Sequence, residues 1–415
     1  MRALRARSAF DWKRNKSAIF FVCLVLLAVA SFTFPPQRIR AQNKQTAGLP
    51  RARRLDEGIS WKRDRATGEL VVARSGTVPG ADDANPEENS HSISVVTQVV
   101  PVTCSVVGAD GVAIQNLQQK DFRVFDDGVE QPIVFFDASS QPANVALLID
   151  ASPSVLRESE EMKNAARALA DALGSADETA VVDFSAHTYL QISFSNDWGL
   201  IRKAVGRVDA RQLLGDTGGT NIYQAVFVTA KALFAGRRGR KAIVLLTDGQ
   251  DSGLGLTLDP ETARPRAGVP RDQLTFDDVV RELAAQDIQV FAVSTESRPK
   301  IMTADWLSAH AEKTLLTESA RDGKIPAYTL YLAEMVRRSG GQLYFLREAS
   351  TLADTFHQIA VKIRAEYTIG FSPAAGATQE PHAGWHHLRV EVIGHPDATV
   401  TSRASYYVAA KTAMQ

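Results

Sequence analysis

The stretch Val145-Ala146-Leu147-Leu148-Ile149-Asp150-Ala151-Ser152-Pro153-Ser154 decides the fold. Its first five residues are apolar without a break, which predicts a strand buried on both faces. The run stops at a carboxylate followed by hydroxyls at alternate positions, Asp-x-Ser-x-Ser. A helical pattern follows: Val155, Leu156, Met162, Ala166, Leu169 and Leu173 share one face, with Arg157, Glu158, Glu160, Glu161 and Lys163 mostly off it. A buried strand that ends in a carboxylate and feeds a helix belongs at the carboxyl edge of an open α/β sheet, where ligands bind. All three donors are hard oxygens, which suit Mg²⁺, Mn²⁺ or Ca²⁺ and not Zn²⁺. Ser154 also stands where a helix N-cap would, so part of the motif has a purely structural explanation.

Two further stretches have a related form. Gly218-Gly219-Thr220-Asn221-Ile222-Tyr223 delivers a hydroxyl just before a helix that runs to about Phe234. Ala242-Ile243-Val244-Leu245-Leu246-Thr247-Asp248-Gly249 is another buried strand ending in a carboxylate. Each motif alone is weak, but Asp-x-Ser-x-Ser, Thr and Asp on three successive strand–helix junctions form a specific combination. The combination resembles the metal-ion-dependent adhesion site (MIDAS) of von Willebrand factor type A domains. The resemblance implies that Ser152, Ser154 and Thr220 hold a divalent cation by their hydroxyls. Asp150 and Asp248 would act directly or through water, and one coordination position would stay open for a carboxylate of a partner protein. Mg²⁺ is the expected ion, with Mn²⁺ or Ca²⁺ as alternatives. Pro153 departs from the family pattern, which more often has Gly there; proline suits a first helical turn, so the loop should survive with less flexibility.

Around this site, residues 143–365 alternate strand and helix with short loops, predicting an α/β, doubly wound, mainly parallel sheet with helices on both faces. Further strands are expected at Thr179-Ala180-Val181-Val182-Asp183-Phe184, Tyr189-Leu190-Gln191-Ile192-Ser193-Phe194, Ile288-Gln289-Val290-Phe291-Ala292-Val293 and Gly341-Gln342-Leu343-Tyr344-Phe345. The flanks read differently. Residues 93–142 are rich in β-branched residues and carry a hairpin signal, Asp126-Asp127-Gly128, while 366–410 return to strand patterns. Each flank is too small to stand alone. They are expected to pair into one antiparallel β-module with the parallel domain inserted between them.

The first sixteen residues carry six cations against Asp11 alone, and residues 17–34 are uncharged and largely apolar. Residues 1–41 therefore read as a signal peptide or a signal anchor, whose length does not decide between them. Either one places the remainder outside the cytoplasm: periplasmic, in the cell envelope or secreted, and attached to a membrane only through this segment if it is uncleaved. Residues 42–92 are polar and rich in charge, Gly and Pro, and read as a flexible linker with local order around Trp61. The export signal, Asp121-Phe122-Arg123-Val124-Phe125-Asp126-Asp127-Gly128, the site loops and Tyr367-Thr368-Ile369-Gly370-Phe371 look like the exported VWFA-related proteins of Acidobacteria and similar bacteria.

Formal charge sums to zero over 415 residues, and removing the basic start leaves a mildly acidic remainder. Nothing in that balance suggests nucleic acid. The basic run Gly236-Arg237-Arg238-Gly239-Arg240-Lys241 falls between a helix and a strand, where cations suit helix C-termini. With Cys23 in the apolar segment, Cys104 is alone afterwards, so the exported part relies on its core and not on a disulfide. His386-His387 suggests a metal pair, but neighbours on a strand face opposite ways, so one should pack and the other meet solvent.

Residues 251–274 and 297–327 are longer than strand connections require and leave the edge that carries the site. Asp251, Asp259, Glu261, Glu312 and Glu318 lie in them, and one of these could cap the ion's open position from within the chain. Two other functions compete with a binding module. A metal-assisted hydrolase would use the same ion, but no Gly-x-Ser-x-Gly, His-Glu-x-x-His, P-loop or dinucleotide fingerprint is present. His187, the one histidine in this half of the domain, follows a strand and reads as a surface residue. The other alternative is a structural envelope protein with a vestigial site.

Overall fold

The computed structural model describes residues 49–64, 70–74, 99–109, 112–139, 141–152, 159–212, 219–252, 272–303, 325, 327–346, 351–364, 366–373 and 382–408. The apolar run around Leu147 lies in β8 (Ala143–Asp150), every residue of which is buried. It pairs in parallel with β9 (Glu178–Phe184) on one side and β11 (Arg240–Thr247) on the other. A seven-stranded sheet has the order β1-β10-β9-β8-β11-β12-β13, completed by β1 (Arg53–Arg54), β10 (Thr188–Ser195), β12 (Ile288–Ser294) and β13 (Leu343–Phe345). The pairs from β9 to β13 are parallel, whereas β10 and β1 run antiparallel at one edge. The expected fold class is correct.

Strand alternation divides the core into two layers. Ala146 and Leu148 pack with Ile222, Val226, Val279, Leu283 and Met335. These come from α3 (Ile222–Thr229), α4 (Phe276–Gln286) and α5 (Ala327–Ser339). Val145, Leu147 and Ile149 face the opposite way, against Leu169, Ile201, Val205, Phe356 and Ile359. That layer is built by α1 (Ser159–Ala172), α2 (Trp198–Gln212) and α6 (Leu352–Arg364). Ala166, Leu169 and Leu173 are buried, in keeping with the helical face read after Ser154.

The flanking segments meet as expected. One four-stranded sheet has the order β16-β4-β14-β7, from β4 (Val100–Val107), β7 (Ile133–Asp137), β14 (Glu366–Phe371) and β16 (Thr399–Ser402). The other has the order β17-β15-β5-β6, from β5 (Phe122–Asp126), β6 (Val129–Gln131), β15 (Gly384–Val392) and β17 (Ser405–Val408). Tyr367 lies opposite Cys104, and Arg389 opposite Phe125. Both sheets contribute to one cluster that includes Val102, Cys104, Val124, Ile369, Phe371 and Val390. Pro101, which has no N–H to donate, falls at the start of β4, before the register with β16 begins at Cys104. Asp127 (φ 47°) and Gly128 (φ 85°) make the tight β5–β6 turn, a conformation that Asp-Gly adopts at low cost. Cys104 is buried and forms no disulfide among the described residues.

Residues 42–92, read as a linker, contain more order than the region around Trp61. Beyond β1, β2 (Ile59–Arg63) and β3 (Leu70–Arg74) form a hairpin. Trp61 stands edge-on to Phe227, with ring centroids 5.9 Å apart, and its indole N–H donates to the Asp272 carbonyl at 2.6 Å. Isolated apolar residues in a polar stretch were enough to hold it, because Ile59, Trp61, Leu70 and Val72 all pack on the helical layer next to β8.

Candidate metal centre

The strand order reverses between β8 and β11, and ligands bind at such a switch point beyond the carboxyl ends of the strands. Ile149 lies opposite Leu246, so Asp150 and Thr247 end the two strands side by side. Thr247 Oγ1 donates to Asp150 Oδ2 at 2.7 Å and accepts from the Gly249 amide at 3.0 Å. Asp150 Oδ1 accepts from the Ser152 amide at 2.9 Å, and Asp248 Oδ1 accepts from the Gln250 amide at the same distance. Both carboxylates thus close a two-residue turn at a strand end, the local bonding that makes Asp a turn former. Asp150 has no exposed surface, and Asp248 is 6% exposed.

The Thr220 loop reaches the same edge through backbone contacts. The Asn221 amide donates to the Ser185 carbonyl at 2.9 Å, and the Asn221 side chain donates to the Ala186 carbonyl. The Ser252 amide donates to the Thr220 carbonyl at 2.7 Å, while the Thr220 amide faces Ser252 Oγ at 3.2 Å. Gly219 has φ +98°, and a Cβ there would stand 2.9 Å from Ser252 Oγ, so the close approach of the two loops requires glycine. Asp251 Oδ2 lies 3.4 Å from the Tyr223 amide at the start of α3.

Burial is the largest influence on Asp150 and raises its pKa to about 6. Hydrogen bonds from Thr247 and Ser152 act in the opposite direction, and the neighbouring Asp248 charge adds to the rise. Tyr328, in the first turn of α5, is also held above its ordinary value, by burial first and then by Glu296 and Asp248. The edge is therefore a desolvated concentration of negative charge. Asp150 accepts from the Thr247 hydroxyl, the Ser152 amide and the Ser152 hydroxyl. A divalent cation fits this donor chemistry: hard oxygens, an oriented carboxylate and a buried charge that a cation would stabilise.

Of the five residues expected to act on the ion, Asp150 ends β8, and Ser152, Thr220 and Asp248 stand on loops at this one edge. Ser154 lies outside the described residues, as do Asp259, Glu261, Glu312 and Glu318. Asp251 is engaged with the α3 N-terminus. Thr247 was missed as part of the site: its hydroxyl links Asp150 to the Asp248 loop, and only the β8–β11 register places it there. His187 is partly exposed, with Nδ1 2.7 Å from the Arg54 guanidinium and 3.0 Å from Asp56 Oδ2. Those partners tie it to β1. The basic run does cap helix C-termini, though those of other helices: Arg240 donates to the Ile363 and Arg364 carbonyls of α6, and Lys241 to the Gln286 carbonyl of α4. His386 is buried and His387 exposed, so the adjacent pair does not chelate.

Residues 145–250 match the family model of the von Willebrand factor type A domain. No curated protein matches the chain. Among solved structures, an aerotolerance-related membrane protein from Bacteroides fragilis is 15% identical at a TM-score of 0.36, over 53% of this chain and 98% of that one. A von Willebrand factor type A protein from Catenulispora acidiphila is 14% identical at 0.35, over 76% of this chain and 75% of that one. Proximal thread matrix protein 1 from the mussel byssus, with a zinc-occupied MIDAS motif, is 15% identical at 0.35, over 56% and 48%. Among the described residues no helix is long and apolar enough to cross a membrane. With the matched segment spanning β8 through the Asp248 loop, this chain contains a von Willebrand factor type A domain, a module that commonly mediates protein interactions.

Proposed function

We propose that the chain is an extracytoplasmic, adhesion-type binding module whose divalent cation takes a carboxylate from a partner protein. Ser152, Ser154 and Thr220 would hold the ion by their hydroxyls, with Asp150 and Asp248 bound directly or through water, and Mg²⁺ is the preferred occupant. When bound, the ion supplies an electrophilic centre for an acidic side chain. The chain's own part is to orient the donors. Thr247 and the Ser152 amide hold the Asp150 carboxylate, Gln250 holds Asp248, and Ser252 ties the Thr220 loop to the Asp248 loop.

The observation that carries this reading is the fully buried Asp150 at the sheet's switch point, beside a second carboxylate. Export rests on the basic and apolar N-terminal sequence. The test is a pull-down from the envelope fraction of the source organism with Mg²⁺ present. A partner should be released by EDTA and should not be captured by the Asp150→Ala chain. A partner that stays bound through both treatments would show that the ion is not the contact.

A further inference from the structure

A chemically different cluster lies in the β-module, where the Asp127-Gly128 turn meets the start of β15. His386 is 2% exposed. Its Nε2 lies 2.8 Å from the His382 carbonyl oxygen, an atom that can only accept, so Nε2 carries the proton and donates. Nδ1 faces Asp127 Oδ2 at 2.9 Å and Asp126 Oδ1 at 3.5 Å, and in the neutral ring it is a lone pair that a cation can take. Neither Nδ1 of His386 nor Oδ1 of Asp126 has a hydrogen-bond partner, although both atoms are buried. Buried polar atoms without partners cost free energy unless something is placed between them. Two carboxylate oxygens and an imidazole nitrogen thus converge on one point without a hydrogen bond among them, a set that a cation would satisfy.

The ring of His382 lies beside that of His386, centroids 4.1 Å apart and planes tilted by 34°. One ligand atom from each of Asp127, His382 and His386 can be chosen so that all lie within 4.8 Å of one another. These groups are also held from behind. Tyr406 donates to Asp126 Oδ2 at 2.9 Å, the His387 amide donates to Asp127 Oδ1 at 2.9 Å, and the His382 carbonyl fixes the tautomer of His386. Metal-ligating imidazoles and carboxylates are oriented by this kind of outer contact.

We propose that Asp127, His382 and His386, with Asp126 as a further oxygen donor, bind a borderline transition-metal ion, Zn²⁺ foremost. Two imidazole nitrogens with carboxylate oxygen select such an ion over Mg²⁺ or Ca²⁺. Bound there, it joins the β5–β6 turn to the chain entering β15, two points more than 250 residues apart in sequence. The ion is thus a clip that closes the β-module, independent of the Asp150 site and of the function proposed for it.

The full chain carrying Asp150→Ala, in excess Mg²⁺, isolates this cluster from the first site. Titration with ZnCl₂ should show one ion bound per chain and raise the melting midpoint by about 5 °C or more at saturation. Co²⁺ should bind with visible ligand-field absorption. Adding His382→Ala, an exposed position whose loss leaves the core intact, should weaken Zn²⁺ binding at least about tenfold and abolish the thermal shift. Asp127→Asn should do the same. No Zn²⁺ binding by the Asp150→Ala chain overturns the proposal, and so does binding that is unchanged in both added variants, which would mark an adventitious surface ion only.

Discussion

Thr247 Oγ1 gives its proton to Asp150 Oδ2 at 2.7 Å, and this one bond joins the two strands between which the sheet changes direction. Both residues have no exposed surface. Thr247→Val keeps the shape but leaves an Asp150 oxygen and the Gly249 amide without their partner. The expected loss is about 1–3 kcal/mol of unfolding free energy by urea titration, with weaker Mg²⁺ binding. Thr247→Ser should retain most of both. Equal stability for the valine variant and the parent would mean that the bond does not orient the carboxylate.

Asp150 predicts an opposite pair of effects. Its folded pKa, about 6, lies above the ordinary carboxylate value of 3.8. Its contribution to stability is therefore complete below pH 4 and disappears as pH rises through 6, by at most roughly 3 kcal/mol. In EDTA, Asp150→Asn should lack this pH dependence and be at least as stable as the parent at pH 8. Adding Mg²⁺ should raise the melting point of the parent alone, because the ion stabilises the ionised carboxylate that the asparagine lacks. Melting curves from pH 4 to 8, with and without Mg²⁺, measure both effects; parallel curves for the two chains would remove the electrostatic basis of the site.

Asp278 ties the N-terminal hairpin to α4. Burial works to raise its pKa, but hydrogen bonds from the Arg63 guanidinium, at 2.6 Å, and from Thr275 outweigh it and hold the value below the usual range. A lowered folded pKa contributes stability above the unfolded value, and this is lost as pH falls through the folded one, so the window lies below pH 4. Asp278→Ala removes the reciprocal cap with Thr275 and the carboxylate that Arg63 and Arg281 share, at a cost of about 2–4 kcal/mol. Acid unfolding followed by circular dichroism should show the low-pH step in the parent and a smaller one in Asp278→Asn.

Gly340 joins the parallel domain to the β-module. It follows α5 with φ +85°, and a Cβ there would lie 2.5 Å from the Arg403 amide nitrogen. Left-handed backbone and a backbone clash act together, so Gly340→Ala should destabilise the chain by roughly 2 kcal/mol or more. Chemical denaturation would reveal it. A neutral result would show that the Arg403 segment can move away freely.

Much of the domain was legible because burial and periodicity are written locally. A short apolar run with no polar break, such as residues 145–149, ending in a turn-forming Asp reads as a strand covered on both faces, and the helical face with Ala166 and Leu169 follows from spacing. Carboxylates at the ends of two strands and hydroxyls beside them gave candidate ligands, while the Thr220 loop, expected after a strand, instead joins α2 to α3; the β-rich flanks gave the inserted arrangement.

What the tertiary structure decided is which distant residues touch. Thr247 becomes a partner of Asp150 only through the β8–β11 register, which no local pattern encodes. The hairpin around Trp61 looks like linker until Phe227 and Asp278 are brought to it by a helical layer far later in the chain, Asp278 lying 215 residues after Arg63. His386 reads as half of a pair with His387, yet the pleat sends those rings apart, and Asp127 meets Nδ1 while His382 lies beside the ring. Sequence dictates what each segment must bury or solvate; only the packing of segments settles which polar groups meet once water has been excluded.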